Sequence, residues 1–217
     1  MSVRVAGIIL AAGRSSRMGS PKQLLEVDGR PLIAHVIDTA ARTTLDELIV
    51  VVGHAAPPIR EAIAVTIAGA GKGRMPMRVV EVEAAEQGIS ESLRTGIRAA
   101  SSKGADAVAV VLGDEPDVRA RAIDRCLERY RGGADSELTE RPQIVRAVYV
   151  GEHTRRPGHP VVFDSIVFPE IDRLDGDRGA REVIEAVPSR VVEVEIAGSA
   201  PVDIDTPEDL EARRRGV

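Results

Sequence analysis

The chain has 217 residues and a formal net charge of −5, with 43% hydrophobic, 29% charged and only 2% aromatic residues. This balance suits one α/β domain with an aliphatic core, and it disfavours nucleic-acid binding, which needs basic patches and aromatic stacking platforms. The single cysteine, Cys126, excludes an internal disulfide and does not make a zinc site. The first apolar run, residues 3–12, is too short to span a membrane and does not resemble a signal peptide, so we expect a cytoplasmic protein.

Short apolar runs of strand length alternate with helical patterns along the chain. Predicted strands cover residues 3–10, 48–52, 78–82, 107–112, 143–150, 159–163 and 190–196. Predicted helices cover residues 31–43, 58–66, 90–101, 118–130, 177–186 and 206–215. The alternation predicts a single Rossmann-like α/β domain over residues 1–217, with a mostly parallel twisted sheet and helices on both faces. We expect the strands around residues 143–163 to form an antiparallel appendage.

The loop after the first strand, residues 11–22, is the first candidate site, because ligands of such sheets bind beyond the carboxyl ends of the strands. Gly13 permits close approach of the backbone, and Arg14, Arg17 and Lys22 gather three cations in one short segment. Backbone N–H groups and cations together favour an anion such as a triphosphate. The loop matches neither the P-loop nor the dinucleotide-binding fingerprint, and a generic glycine-rich connection is the alternative interpretation.

Acidic residues follow at two further places. Asp114 follows the predicted strand 107–112 with one residue, Gly113, between, where a carboxylate suits Mg²⁺, although it also fits a turn before a helix. Near the C-terminus, Thr206 fits the N-cap of the last helix, a pattern that does not require Asp203 or Asp205.

Five segments resemble one known family. Residues 10–22 read L-A-A-G-x-S-x-R-M-G-x-x-K, which resembles the signature of the MobA-like nucleotidyltransferases. Residues 113–116 (GDEP) are similar to the family's G-D-Q-P, and residues 88–96 (GISESLRTG) to its G-x-S-x-S-L-x-x-G stretch. Residues 158–163 (GHPVVF) and 176–181 (GDRGAR) resemble its molybdenum cofactor cytidylyltransferase branch. The resemblance covers nearly the whole chain, with the motifs in the expected order.

The resemblance implies a fold of the nucleotide-diphospho-sugar transferase type and transfer of CMP from CTP to a phosphorylated acceptor, with release of pyrophosphate. Molybdenum-loaded molybdopterin is the favoured acceptor. By the same resemblance, Lys22 and Arg17 hold phosphates as catalytic residues, and Asp114 binds Mg²⁺ together with Asp205, which is favoured over Asp203. The implied nucleotide-binding residues are Leu10, Ala11, Ala12, Gly13, Arg14, Ser15, Gly88 and Ser92. The implied acceptor-binding residues are His159, Asp177 and Arg178.

Three residues leave alternatives open. Ala12 stands where guanylyltransferase relatives tend to carry Gly, which favours CTP, and Glu115 replaces the usual Gln, which adds a negative charge near the metal and the acceptor. Ser90 fits either an N-cap or a contact to the nucleotide. The alternatives are GTP-dependent transfer to molybdopterin or 2-phospholactate, transfer to a sugar phosphate, and a non-catalytic pterin cofactor carrier. A recipient molybdoenzyme or its chaperone is an expected partner, whereas nucleic acid and membranes are not.

Overall fold

The computed structural model describes residues 3–13, 21–53, 57–69, 75–82, 88–132 and 141–215. Within these ranges the strands are β1 Val5–Ala11, β2 Glu26–Val27, β3 Arg30–Pro31, β4 Glu47–Gly53, β5 Met77–Val82, β6 Ala107–Leu112, β7 Ile144–Val150, β8 Arg155–Asp164 and β9 Val191–Ala197. The helices are α1 Leu32–Ala40, α2 Pro57–Gly69, α3 Ile89–Ser101, α4 Ala120–Arg131, α5 Phe168–Ile171, α6 Arg181–Ala186 and α7 Pro207–Arg215. None of the helices in these ranges has the length and apolar character needed to cross a membrane.

Seven strands form one mixed sheet in the order β5-β4-β1-β6-β8-β7-β9. The strands β5, β4, β1 and β6 are parallel, and β9 is parallel to β7. Among the described strands of this sheet, β8 is the antiparallel one, and it pairs on both sides with β6 and β7. The predicted mostly parallel sheet is confirmed. The predicted appendage is wrong, because residues 161–164 of β8 pair with β6 and so build the hairpin into the main sheet.

Helices cover both faces of the sheet, as predicted, because successive strand side chains point to opposite sides. On one face, Ile9 and Val50 belong to an apolar cluster with α1, α2 and α4. On the other face, Ile8 and Val51 belong to a second cluster with α3, α5 and α6. Burial on both faces explains why the central strands are continuous apolar runs rather than alternating ones.

The C-terminal segment is tied to the rest of the fold by a third, smaller apolar cluster. Ile204 and Leu210 are buried in this cluster with Val27 and Leu32, which lie in β2 and at the start of α1. The predicted N-cap is confirmed, because the backbone N–H of Asp209 donates to Thr206 Oγ1 at 3.2 Å, as in a capping box. The C-terminal segment is therefore held against β2 and the start of α1.

The helix predicted over residues 177–186 is only partly present. A short 3₁₀ turn covers Gly176–Arg178, and α6 begins at Arg181. Gly179 lies between them with a φ of 57°, a left-handed conformation that an α-helix does not accommodate. The segment therefore bends before α6 instead of continuing as one helix.

Candidate functional site

Three charged side chains from distant parts of the sequence meet beyond the carboxyl ends of β1 and β6. Lys22 Nζ donates a hydrogen bond to Asp114 Oδ2 and another, at 2.7 Å, to Asp205 Oδ1. Burial alone would lower the pKa of Lys22, but the hydrogen bonds and charges of the two carboxylates outweigh it, and the pKa lies above its ordinary value. Lys22 is therefore a permanent cation at neutral pH.

Gln23 fixes the turn that carries Lys22. Lys22 lies in a 3₁₀ turn, Lys22–Leu24, and Gln23 beside it is only 2% exposed. The Nε2 atom of Gln23 donates to the carbonyl oxygens of Ala11 at 2.9 Å and Gly13 at 3.2 Å. Gln23 was not among the residues predicted from the sequence, because its burial and its contacts arise only in the folded chain. The two hydrogen bonds attach the lysine's turn directly to the end of β1.

Asp114 is placed by close packing between the ends of β1 and β6. The backbone N–H of Gly113 donates to the carbonyl oxygen of Leu10 at 2.9 Å. A Cβ atom on Gly113 would lie 2.9 Å from both that oxygen and the Cβ atom of Ala11, so only glycine fits here without a shift. The chain can therefore turn immediately after β6 and present Asp114 toward Lys22.

Asp205 is placed by the capping box at the start of α7. Its backbone N–H donates to Asp209 Oδ2 at 3.1 Å, and the neighbouring N–H of Ile204 donates to the carbonyl oxygen of Asp114 at 3.1 Å. Asp203, the alternative candidate, is exposed, whereas the carboxylates that accept hydrogen bonds from Lys22 are those of Asp114 and Asp205. Partial desolvation, together with the negative charges of neighbouring carboxylates, raises the pKa of Asp203 to about 6.

The paired carboxylates fit a divalent cation. Asp114 and Asp205 already share one cationic group, the ammonium of Lys22, and carboxylate oxygens are the ligands that Mg²⁺ and similar hard cations prefer. In the part of the chain that is described, no group of three or more His, Cys, Asp or Glu side chains could hold a metal. Two carboxylates would thus leave further positions for waters and substrate phosphates, the usual arrangement for Mg²⁺.

The predicted nucleotide-binding residues fall into three groups. Leu10, Ala11, Ala12 and Gly13 lie at the end of β1, next to the charged cluster. Arg14 and Ser15 lie outside the described residues, as does Arg17, which was predicted as a catalytic residue. Gly88 and Ser92 lie before and inside the first turn of α3, and Ser92 is buried at 5% exposure.

The start of α3 differs from the expected capping arrangement. Ser90 is not the N-cap, because it lies inside α3 and Gly88 precedes the helix. Its Oγ atom is buried and has no hydrogen-bond partner among the described residues. Gly88 has a φ of 99°, and a Cβ atom there would lie 2.5 Å from the carbonyl group of Gly176. This glycine therefore allows the backbone before α3 to pack against the 3₁₀ turn before α6.

Two of the three predicted acceptor-binding residues line one cavity. The cavity has a volume of about 450 Å³ and lies between the sheet, the start of α3 and the segment leading into α6. His159 and Asp177 line it, together with Leu10 and Leu112 at the ends of β1 and β6. The side chain of Arg178 is not among those described. The cavity therefore opens beside the charged cluster.

His159 is held from two sides. Its Nδ1 atom lies 3.2 Å from Glu115 Oε1, and its carbonyl oxygen accepts a hydrogen bond from Tyr149 Oη at 2.6 Å. Glu115 is 6% exposed and follows Asp114 directly. Glu115 is thus next to Asp114 in the sequence and in contact with His159 of the cavity.

Comparisons with known proteins agree with this arrangement. Residues 7–192 match the model of the MobA-like NTP transferase domain. Purine catabolism protein PucB of Bacillus subtilis (strain 168) is 29% identical over 226 residues, which cover 97% of this chain and 96% of PucB. The nicotine blue oxidoreductase of Paenarthrobacter nicotinovorans is 29% identical over 213 residues, which cover 95% of this chain and 94% of that protein.

Solved structures resemble the fold over its full length. The crystal structure of Rv0371c from Mycobacterium tuberculosis H37Rv has a TM-score of 0.77 at 29% identity, and the match covers 99% of this chain and 100% of that one. A structure of Rv0371c in complex with manganese has a TM-score of 0.75 at 27% identity, with the same coverage. The family match spans most of the chain, and the chain therefore belongs to the MobA-like NTP transferase family.

Proposed function

We propose that this protein transfers CMP from CTP to a phosphorylated acceptor, molybdenum-loaded molybdopterin, and releases pyrophosphate. The observation that carries the proposal is the meeting of Lys22, Asp114 and Asp205 beyond β1 and β6 in a member of this family. A cation and two carboxylates at the crevice of an α/β sheet are suited to a triphosphate and its divalent cation.

The chemistry needs positioning and charge neutralisation more than it needs a base. An oxygen of the acceptor phosphate attacks the α-phosphorus of the NTP, and the bond from that phosphorus to the bridging oxygen of the leaving pyrophosphate breaks. The attacking phosphate is already anionic at neutral pH, so no strong general base is required. The protein's contribution is to hold the reacting groups in line and to offset developing negative charge.

Each residue of the cluster has a distinct task in this proposal. The Lys22 ammonium, with its raised pKa, neutralises phosphate charge, and Arg17 assists it. Asp114 and Asp205 would hold Mg²⁺, which when bound offsets charge on the phosphate oxygens. The manganese complex of Rv0371c supports a divalent cation in this fold.

The cavity beside the cluster is the proposed seat of the acceptor. His159 and Asp177 line it, and the ends of β1 and β6 form part of its wall, so a phosphate on a molecule seated there would lie near Asp114. The nucleotide would lie along residues 10–13, at and after the end of β1, and the start of α3 with Gly88 and Ser92, and by the resemblance it would also contact Arg14 and Ser15. The CTP preference rests on Ala12, by the resemblance described above.

The Paenarthrobacter relative is named an oxidoreductase, which is a different class of enzyme, although the match covers nearly the whole of both chains. The arrangement of Lys22 between Asp114 and Asp205 favours transfer, because hydride transfer to an organic substrate does not require paired carboxylates around a cation. Consumption of NADH or NADPH by the purified protein would instead support the oxidoreductase class.

The test is pyrophosphate release measured separately with CTP, GTP, ATP and UTP, in the presence of Mg²⁺ and molybdenum-loaded molybdopterin. We expect release with CTP alone. Release with GTP alone would show that the protein transfers GMP instead of CMP. Release only when 2-phospholactate or a sugar phosphate is supplied would show that the acceptor is not molybdopterin. Absence of release with every nucleotide and acceptor would contradict transfer and leave the carrier alternative. Asp114→Asn should be inactive, and Asp117→Asn, which changes an exposed partner of Arg213 on the same loop, is the matched control.

A further inference from the structure

We infer that Arg119 is a positioning residue for the carboxylate pair. It holds the beginning of the segment that carries Asp205, and it thereby sets the position of that carboxylate opposite Asp114. The inference rests on the proposed function only in taking the two carboxylates as ligands of a divalent cation.

Asp205 lies on an irregular stretch of chain that depends on contacts at its two ends. The stretch, residues 198–206, joins β9 to α7. In residues 199–203, no backbone N–H group donates a hydrogen bond to a described residue. Farther along, Ile204 is buried and donates to the carbonyl oxygen of Asp114, and the capping box follows. The position of Asp205 therefore also depends on how the stretch is held where it leaves β9.

Arg119 holds that point with both arms of its guanidinium group. Nη1 donates to the carbonyl oxygen of Ala197 at 2.7 Å, and Nη2 donates to that of Ser199 at 2.8 Å. Gly198, between the two, has a φ of 103°, and a Cβ atom there would lie 3.0 Å from Arg119 Nη1. The planar guanidinium thus binds both sides of a tight turn, and the single ammonium group of a lysine does not reproduce this geometry.

The guanidinium is itself held against the sheet. The Cζ atom of Arg119 lies 5.9 Å from the centre of the Tyr149 ring, within the range of a cation–π contact. Tyr149 is only 1% exposed, and the N–H of Gly198 donates to the carbonyl oxygen of Val150 at 2.9 Å. Although Arg119 is exposed, the turn and the guanidinium are therefore both attached to the end of β7.

Arg119 also lies on the same short connection as Asp114. Residues 113–119 join β6 to α4 and carry both side chains. This connection contacts the stretch before Asp205 through Arg119, and it contacts the residue adjacent to Asp205 through the carbonyl oxygen of Asp114. The two carboxylates are therefore positioned from one connection.

The relative position of the carboxylates matters, because Mg²⁺ requires nearly ideal octahedral coordination. Loss of a group that orients a metal ligand directly weakens metal binding about 10- to 100-fold. Arg119 acts through the intervening chain, so we expect a smaller effect, roughly five- to tenfold. The direction of the change is informative, since loss of a positive charge near two carboxylates would by itself strengthen the binding of a cation.

The test is the Mn²⁺ affinity of nucleotide-free Arg119→Gln, measured by electron paramagnetic resonance of free Mn²⁺. It is measured in the wild-type and Lys22→Met backgrounds, so that competition by the lysine does not conceal the effect. We expect roughly five- to tenfold weaker binding, with an unchanged far-UV circular dichroism spectrum. Amide hydrogen exchange should become faster at Gly198 and Ile204, whose N–H groups are hydrogen-bonded at the two ends of the stretch.

Two further variants complete the test. Arg121→Gln changes an exposed arginine in the first turn of α4 and should bind Mn²⁺ like its parent. Arg119→Lys keeps the charge without the planar fork and should bind Mn²⁺ less tightly than its parent. Unchanged or tighter binding by folded Arg119→Gln, parental affinity in Arg119→Lys, or no Mn²⁺ binding by either parent would overturn the inference. Because these measurements need no turnover, inactivity toward all NTPs would contradict the proposed function alone.

Discussion

Replacing Lys22 with Met should tighten the binding of a divalent cation to the nucleotide-free protein, although it should also abolish transfer. In the structure the ammonium of Lys22 bridges Asp114 Oδ2 and Asp205 Oδ1, the oxygens that a metal would use. A cation entering the site must displace the lysine. With a triphosphate present, the lysine can instead move to the phosphates, so nucleotide and metal should bind cooperatively to the wild type.

The magnitude follows from the contact that the metal must break. A hydrogen bond to a charged group contributes about 1.5–3 kcal/mol when it is shielded from solvent. The side chains of Lys22 and Asp114 are 13% and 17% exposed, whereas that of Asp205 is 47% exposed, so we count only the first pair. Since about 1.4 kcal/mol corresponds to a tenfold change in affinity, removal of the lysine should strengthen metal binding roughly 10- to 100-fold.

The assay is electron paramagnetic resonance of free Mn²⁺ during titration of the nucleotide-free protein, with circular dichroism as the check of folding. Lys103→Met, which changes an exposed lysine, is the matched control and should bind Mn²⁺ like the wild type. Adding Asp114→Asn to Lys22→Met should remove the gain. Unchanged or weaker Mn²⁺ binding by folded Lys22→Met would refute the reasoning that the lysine and the metal compete for the same oxygens.

Three further predictions concern the support of the site and the core. Gln23→Ala removes both hydrogen bonds to carbonyl groups at the end of β1. We expect the free energy of unfolding, measured with denaturant, to fall by about 1–3 kcal/mol and the KM for the nucleotide to rise. An unchanged KM would contradict this role. Gly113→Ala places a Cβ atom 2.9 Å from the Leu10 carbonyl oxygen. We expect this contact to lower the free energy of unfolding by about 1–3 kcal/mol and to reduce turnover. Full activity would show that the ends of β1 and β6 can separate freely. Burial raises the pKa of the Cys126 thiol to about 12, so a disulfide reagent at pH 8 should modify it only after unfolding, and stoichiometric reaction of the folded protein would contradict its burial.

Most of the sheet could be predicted because its strands have a simple physical signature. A strand buried on both faces, such as Ala107–Leu112, is a continuous apolar run. The helical patterns between such runs indicate helical crossover connections between parallel strands. The placement of β8 could not be predicted in the same way. The alternation near residues 143–163 indicates an antiparallel pair, but the pairing with β6 depends on which strand edge remains open.

In the candidate site, too, some residues could be predicted from the sequence and others could not. Lys22 and Asp114 could be identified because they lie in motifs that follow β1 and β6, two strands whose carboxyl ends form the binding edge. Gln23 was missed, since its contacts to the β1 carbonyl groups exist only in the folded chain. The contact of Glu115 with His159 likewise depends on the adjacency of β6 and β8, which no local pattern predicts.

The central claim is attack on the α-phosphorus at the site of Asp114 and Lys22, and ³¹P NMR of the products tests it most directly. With CTP, Mg²⁺ and molybdenum-loaded molybdopterin, the wild type and Asp117→Asn should form pyrophosphate and nucleotidylated acceptor in equal amounts, and Asp114→Asn should form neither. Formation of orthophosphate and CDP in place of pyrophosphate, or wild-type turnover by folded Asp114→Asn, would contradict the account.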